Sequence, residues 1–156
     1  MNPVLPHQCT LPDVADTEAF GRQLAAELTA GDVVILDGPL GAGKTALARG
    51  IGAGLGVIGR VSSPTFIIAR QHRPGAEGRP GMIHVDAYRL GGLDELDALD
   101  LDTDLEDSVV VVEWGEGVAE RLSRRQLLVR LSRDVDTDER TASYGWITDQ
   151  PTDQPR

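Results

Sequence analysis

Cysteine appears once in the 156 residues, as Cys9. No internal disulfide can form, no disulfide-linked partner is expected, and the chain suits a reducing compartment. No apolar run exceeds the four valines at 109–112, far short of the about 18 residues a membrane helix needs. The first ten residues lack both a basic start and an apolar stretch, so no signal peptide is expected. The expectation is a cytoplasmic chain without membrane contact. Phe20, Phe66, Tyr88 and Tyr144 are too scattered to form a base-stacking platform. Basic residues are outnumbered, 15 against 25 acids for a net charge of −10, and such a surface repels nucleic-acid backbones. Asparagine occurs once, as Asn2, and lysine once, as Lys44, in a chain that otherwise uses arginine for positive charge.

What is present suffices for one domain with a core: 40% of residues are hydrophobic and 26% charged. Asp16 or Thr17 can N-cap a helix whose apolar positions Phe20, Leu24, Ala25 and Leu28 follow helical spacing up to Gly31. Residues 33–36 form an all-apolar strand of the kind buried on both faces of a parallel sheet. A glycine-rich turn leads into a helix over 44–55. Strands are predicted at 66–69 and 82–85, with an exposed connection over 72–81 between them. A helix over 94–105, a buried strand at 109–112 and a short helix at 118–122 follow. Residues 127–131 and 141–146 alternate and predict an antiparallel hairpin. The fold class expected is α/β: a single domain over residues 1–148, its central, mostly parallel sheet flanked by helices and ending in that hairpin. Residues 149–156 are expected to be a disordered tail.

Gly38-Pro39-Leu40-Gly41-Ala42-Gly43-Lys44-Thr45 matches G-x-x-x-x-G-K-[ST] at every required position. Such a loop turns successive backbone N–H groups toward a phosphate, which demands glycine where a Cβ would clash or φ is positive. The helix that follows, with Ala46 in its first turn, points its unpaired N–H groups at the same anion. Lys44 reaches the β- and γ-phosphates as a compact charge that arginine's planar fork could not replace. The Thr45 hydroxyl is placed for Mg²⁺. ATP is the nucleotide expected, because a guanine-reading Asn-Lys-x-Asp motif would need an asparagine other than Asn2 and a lysine other than Lys44, and the chain has neither.

A P-loop also needs a carboxylate on a neighbouring strand, to hold Mg²⁺ or orient water. Asp86 ends the strand at 82–85 and Glu113 the strand at 109–112. Strand ends converge on the ligand crevice of a parallel sheet, so both are candidates. Which of them is the main metal ligand stays open at this level.

The loop at 38–45, Ser63-Pro64-Thr65-Phe66, His84-Val85-Asp86-Ala87-Tyr88-Arg89-Leu90 and Glu113-Trp114, in this order and spacing, resemble the TsaE family of bacterial ATPases. The resemblance spans about residues 10–146. It implies ATP and Mg²⁺ as cofactors and a role in making threonylcarbamoyladenosine beside the anticodon of tRNA. It also implies that ATP binding and hydrolysis support turnover of a TsaB–TsaD partner complex, with tRNA met only indirectly through that complex. By the same resemblance Thr45 and Glu113 are Mg²⁺ ligands, and Asp86 is an acid needed for hydrolysis. Gly38, Gly41, Ala42, Gly43, Lys44, Thr45 and Ala46 then bind the nucleotide, joined by Trp114 and Arg140. Residues 63–66 would be a loop that responds to the γ-phosphate.

Two readings of other classes remain beside it: a small-molecule kinase, and an acidic adaptor that binds nucleotide without turning it over. Residues 94–107 hold eight acids. Their Asp100-x-Asp102-x-Asp104 start lacks the glycine and final glutamate of a calcium loop, so they read as a solvated helix face or as an acidic docking surface for a basic partner. His84 lies in a predicted strand and reads as a buried, hydrogen-bonded histidine before a catalytic base.

Overall fold

Asp13 and Asp16 open the first helix together. The Asp13 side chain accepts the Asp16 N–H at 3.0 Å and the Asp16 carboxylate accepts the Asp13 N–H at 3.3 Å, a capping box that closes α1 (Val14–Ala25) at its N-terminus. The helix therefore begins earlier than the spacing predicts: the cap is Asp13, and Thr17 is an interior residue only 1% exposed. It also stops before Gly31. After Ala25 the chain closes two turns, and Gly31, at φ +97, donates its N–H to Ser108 and redirects the chain into the sheet.

The structure, a computed structural model, describes residues 6–38, 43–58, 69–86, 107–113, 125–134, 136–137 and 139–147. Its strands are β1 (His7–Leu11), β2 (Val33–Asp37), β3 (Ala69–His72), β4 (Gly81–Asp86), β5 (Ser108–Glu113), β6 (Gln126–Arg133) and β7 (Arg140–Ile147), with α2 (Lys44–Leu55) between β2 and β3. They form one sheet in the order β1-β7-β6-β2-β5-β4-β3. Its centre, β6-β2-β5-β4, is parallel. The edges are antiparallel: β7 pairs with β6 and β1, and β3 with β4. This is the α/β fold expected, a parallel core with the predicted C-terminal hairpin.

The central strands do not alternate because both faces are covered. On one face Val34, Leu36, Val109, Val111, Met82, Leu127 and Val129 pack against Phe20 and Leu24 of α1 and Leu47, Ile51 and Leu55 of α2. On the other, Val33, Ile35, Val110, Val112 and Leu128 are buried as fully. At about 1.5–3 kcal/mol for each large side chain taken from water, these strands carry the core. The two helices approach closely through glycine: a Cβ on Gly21 would lie 2.6 Å from the Leu47 carbonyl oxygen, and one on Gly50 would collide with the Glu18 carbonyl. Arg49 and Glu18 close that interface with a 2.8 Å ion pair. At the far end of the sheet, buried Asp32 accepts Arg125 Nε at 2.8 Å, and the guanidinium lies 4.3 Å from the centre of the Trp146 ring. That hydrogen bond pushes the Arg125 pKa above its ordinary value.

Two strands depart from expectation. β1 is not among the predicted strands; only Leu11 is buried and Cys9 half-buried in an otherwise exposed polar segment, and pairing with β7 makes it a strand. The strand predicted at 66–69 is described from Ala69 onward and runs to His72, which is buried and paired with Met82 instead of starting the exposed connection. Residues 66–68, the helices predicted at 94–105 and 118–122, the acidic segment 94–106 and the tail lie outside the described residues.

Candidate functional site

β2 ends at Asp37 and the chain turns at Gly38. Its φ is +151°, and a Cβ there would sit 2.6 Å from the Leu131 carbonyl oxygen of β6. Gly41 and Ala42 lie outside the described residues. Gly43, at φ +106°, is the N-cap of α2 and makes no side-chain cap bond, and the first turn of α2 contains no acid. The contrast with α1, capped and neutralised by Asp13 and Asp16, is chemical. The N–H groups and positive dipole end of α2 are left to an anion.

Lys44 is only 5% exposed and reaches back to the end of β2, its Nζ donating to the Gly38 carbonyl at 2.6 Å. Thr45 and Ala46 follow in the same turn, both half-buried. Thr45 Oγ1 stands 3.4 Å from Glu113 Oε2 at the end of β5. That is long for a hydroxyl hydrogen bond, yet close to the about 3 Å between adjacent oxygens in a magnesium octahedron. His84 Nε2 lies 2.5 Å from the same Glu113 oxygen. Asp86 is paired with Glu113 in the β4–β5 register, so the two candidate acids end adjacent parallel strands. The Asp86 side chain, residues 63–66 and Trp114 lie outside what is described.

Arg140 opens β7 opposite Arg133. Its Cδ and Nε lie 3.6 and 3.7 Å from where a Gly43 Cβ would be, and Thr17 Cγ2 lies 3.7 Å from the same point. Any side chain at 43 would fill this cradle. On the other side of the loop base, Asp37 and Arg130 pair at 3.5 Å. The structure thus gathers Gly38, Gly43, Lys44, Thr45, Glu113 and Arg140 at one end of the sheet, with Asp86 at the matching strand end. Thr17 and the contact of His84 with Glu113 were not anticipated. His84 is the buried, hydrogen-bonded histidine that the sequence predicts, two residues before Asp86 and so one same-face step back along its strand; only its partner is new.

A cavity of about 930 Å³ opens at the opposite end of the sheet, between the C-termini of both helices and the β3–β4 connection, with Arg22, Arg73, Arg79 and Asp107 among its lining. Arg79 is already spent there, donating to the Gly54 and Leu55 carbonyls that end α2. Those carbonyl ends are negative and do not suit a polyphosphate. The candidate site is therefore taken at the loop end.

A glycine-rich segment between a buried parallel strand and a helix without a side-chain cap, with buried Lys44 reaching back to the Gly38 carbonyl, defines a P-loop α/β fold. The family model described as threonylcarbamoyl adenosine biosynthesis protein TsaE matches residues 11–142, and the chain belongs to that family. A relative from Mycobacterium tuberculosis, named tRNA threonylcarbamoyladenosine biosynthesis protein TsaE, is 59% identical over 143 residues, 88% of this chain and 85% of the relative. The protein of the same name from Streptomyces coelicolor is 60% identical over 117 residues, 74% of this chain and 78% of that one. The crystal structure of Bacillus subtilis YdiB matches with a TM-score of 0.72 at 28% identity, covering 97% of this chain and 91% of the other.

Proposed function

We propose that this chain binds Mg·ATP at the 38–45 loop and hydrolyses it in the service of tRNA threonylcarbamoyladenosine biosynthesis. The observation that carries the reading is the pairing of Thr45 Oγ1 with Glu113 Oε2 at 3.4 Å beside the uncapped start of α2. A hydroxyl and a carboxylate are hard oxygen donors, which suits magnesium. Among the described residues no three His, Cys, Asp or Glu side chains gather to hold a metal by themselves, and magnesium needs no such cage when phosphates complete its shell. Bound magnesium supplies charge neutralisation at the β- and γ-phosphates.

The remaining roles belong to the chain. Gly38, Gly41, Ala42, Gly43 and Ala46 offer backbone N–H groups to the phosphates, and Lys44 places its ammonium among them. Arg140, lying over Gly43, adds a second positive charge above the loop. Trp114 flanks the nucleotide, and Asp86 orients the attacking water or the 63–66 segment. TsaB and TsaD are the proposed partners, and they supply the contacts to tRNA that a chain of net charge −10 cannot make for itself. The setting proposed is the cytoplasm; among the described residues no helix is long and apolar enough to cross a membrane.

The test combines a titration of the purified chain with a fluorescent ATP analogue, with and without Mg²⁺, and co-elution with purified TsaB and TsaD in ATP, in ADP and without nucleotide. Magnesium-dependent binding, phosphate released to water and co-elution favoured by ATP are expected. Phosphate transferred to a metabolite would replace this reading with a kinase, and full occupancy without turnover in the presence of partners would replace it with an adaptor.

A further inference from the structure

The His84 ring is 0% exposed on a sheet face otherwise built from Met82, Val109, Val111 and Val34. A polar ring in such a layer is costly unless hydrogen-bonded. Its Nε2 finds Glu113 Oε2 at 2.5 Å, and Thr45 Oγ1 approaches that same oxygen at 3.4 Å. An ionised carboxylate only accepts hydrogen bonds, so Nε2 carries the proton and donates. Nδ1 then presents a lone pair, and it has no hydrogen-bond partner among the described residues. An unmet acceptor is the more tolerable orphan, since buried N–H groups without acceptors are rarer. The register explains the reach: His84 is opposite Val111, and Glu113 is the next residue of β5 on the same face.

We propose that His84 is a positioning residue for the magnesium site. Its Nε2–H holds Oε2 of Glu113 and fixes the carboxylate beside Thr45 before nucleotide arrives. The inference rests on the reading of Thr45 and Glu113 as magnesium ligands. His84 itself touches neither metal nor nucleotide. A glutamate side chain has three torsions to lose, and a rigid buried ring that removes this freedom in advance pre-organises the ligand. Losing such an outer hydrogen bond typically weakens metal binding or activity about 10- to 100-fold. A histidine serving only the core would need shape alone, and a replacement of similar bulk would leave the metal unaffected.

The experiment measures how Mg²⁺ strengthens binding of a fluorescent ATP analogue to the full chain in wild type, His84→Leu, His84→Gln and Glu113→Gln. In His84→Leu the Mg²⁺ concentration for half effect should rise about 10- to 100-fold while nucleotide affinity without metal is unchanged. His84→Gln, which keeps an N–H donor, should recover most of the loss. If His84→Leu behaves as wild type while Glu113→Gln loses its Mg²⁺ dependence, the positioning role is overturned and the metal site stands. If Glu113→Gln keeps the wild-type dependence, the metal-site reading falls and this inference with it. A second measurement is independent of whether the variants fold. With ¹⁵N-labelled histidine in the wild-type chain, the His84 ring resonance should move when Mg²⁺ is added to the ATP-bound protein, with His7 and His72 as references. A stationary His84 resonance overturns the proposal.

Discussion

Thr45 Oγ1 and Glu113 Oε2 stand 3.4 Å apart although 68 residues separate them in the chain. They meet because β2, which feeds the loop, pairs in parallel with β5, so that Leu36 lies opposite Glu113. One hard-oxygen pair at the crest of a parallel sheet therefore depends on a single strand pairing.

The two strand-end acids should separate in their effects. Glu113→Gln is expected to weaken the Mg²⁺ dependence of ATP binding and stop hydrolysis. Asp86→Asn is expected to keep Mg·ATP binding while abolishing turnover. Binding isotherms with and without Mg²⁺, alongside phosphate release, distinguish them, and wild-type hydrolysis in either variant removes that residue from the site.

Lys44→Ala removes a buried ammonium whose protein contacts include the Gly38 carbonyl. A charged hydrogen bond contributes about 1.5–3 kcal/mol, so ATP affinity should fall about 10- to 100-fold. The fold should survive with an unchanged far-ultraviolet circular dichroism spectrum. Undiminished affinity would refute the P-loop assignment.

Gly50 bears on both stability and ligand. An alanine there meets the Glu18 backbone, which cannot yield without parting α1 from α2, and such overpacking costs about 1–3 kcal/mol. Because α2 begins at Lys44, displacing it should also weaken ATP binding. Gly78→Ala serves as the contrast: its Cβ would have open space, so it carries only the left-handed backbone penalty of about 1–2 kcal/mol and should leave nucleotide affinity intact. Urea denaturation and ATP titration of both variants check this.

Cys9 gives a pH-dependent readout away from the site. Burial pushes its thiol pKa up, so the folded chain holds less thiolate than the unfolded chain. Disulfide-exchange labelling should be slower in buffer than in denaturant near pH 8, and should accelerate at a higher pH than for an ordinary thiol. The sign for stability follows: the contribution is constant below the pKa of the unfolded thiol and is lost as pH rises through the folded one. Equal labelling rates in both states would show the thiol to be unburied.

Much of the architecture was legible along the chain because it is written in local pattern. The uninterrupted apolar runs at 33–36 and 109–112 mark doubly buried parallel strands, and both lie at the centre of the sheet. The alternation before and after residue 135 marks the β6–β7 hairpin. Less legible were the elements whose identity is lent by a neighbour. β1 has too few apolar residues to announce itself and exists through its ladder to β7. The start of α1 is set by a reciprocal pair of aspartates, and apolar spacing reads only the interior of a helix.

Of the candidate site, the sequence alone determined the Gly-x-x-x-x-Gly-Lys-Thr segment at 38–45. Its glycines, lysine and threonine act within a few residues of one another, so their spacing carries the chemistry. It also marked Asp86 and Glu113 as acids ending apolar strands. The tertiary structure alone decided that Glu113 meets Thr45, that His84 grips the same carboxylate oxygen from 29 residues away, and that Arg140 lies over Gly43. Those contacts follow from the order β7-β6-β2-β5-β4 and its register. Strand order is chosen by the burial of both sheet faces taken together, a balance over the whole chain that no short stretch of residues contains.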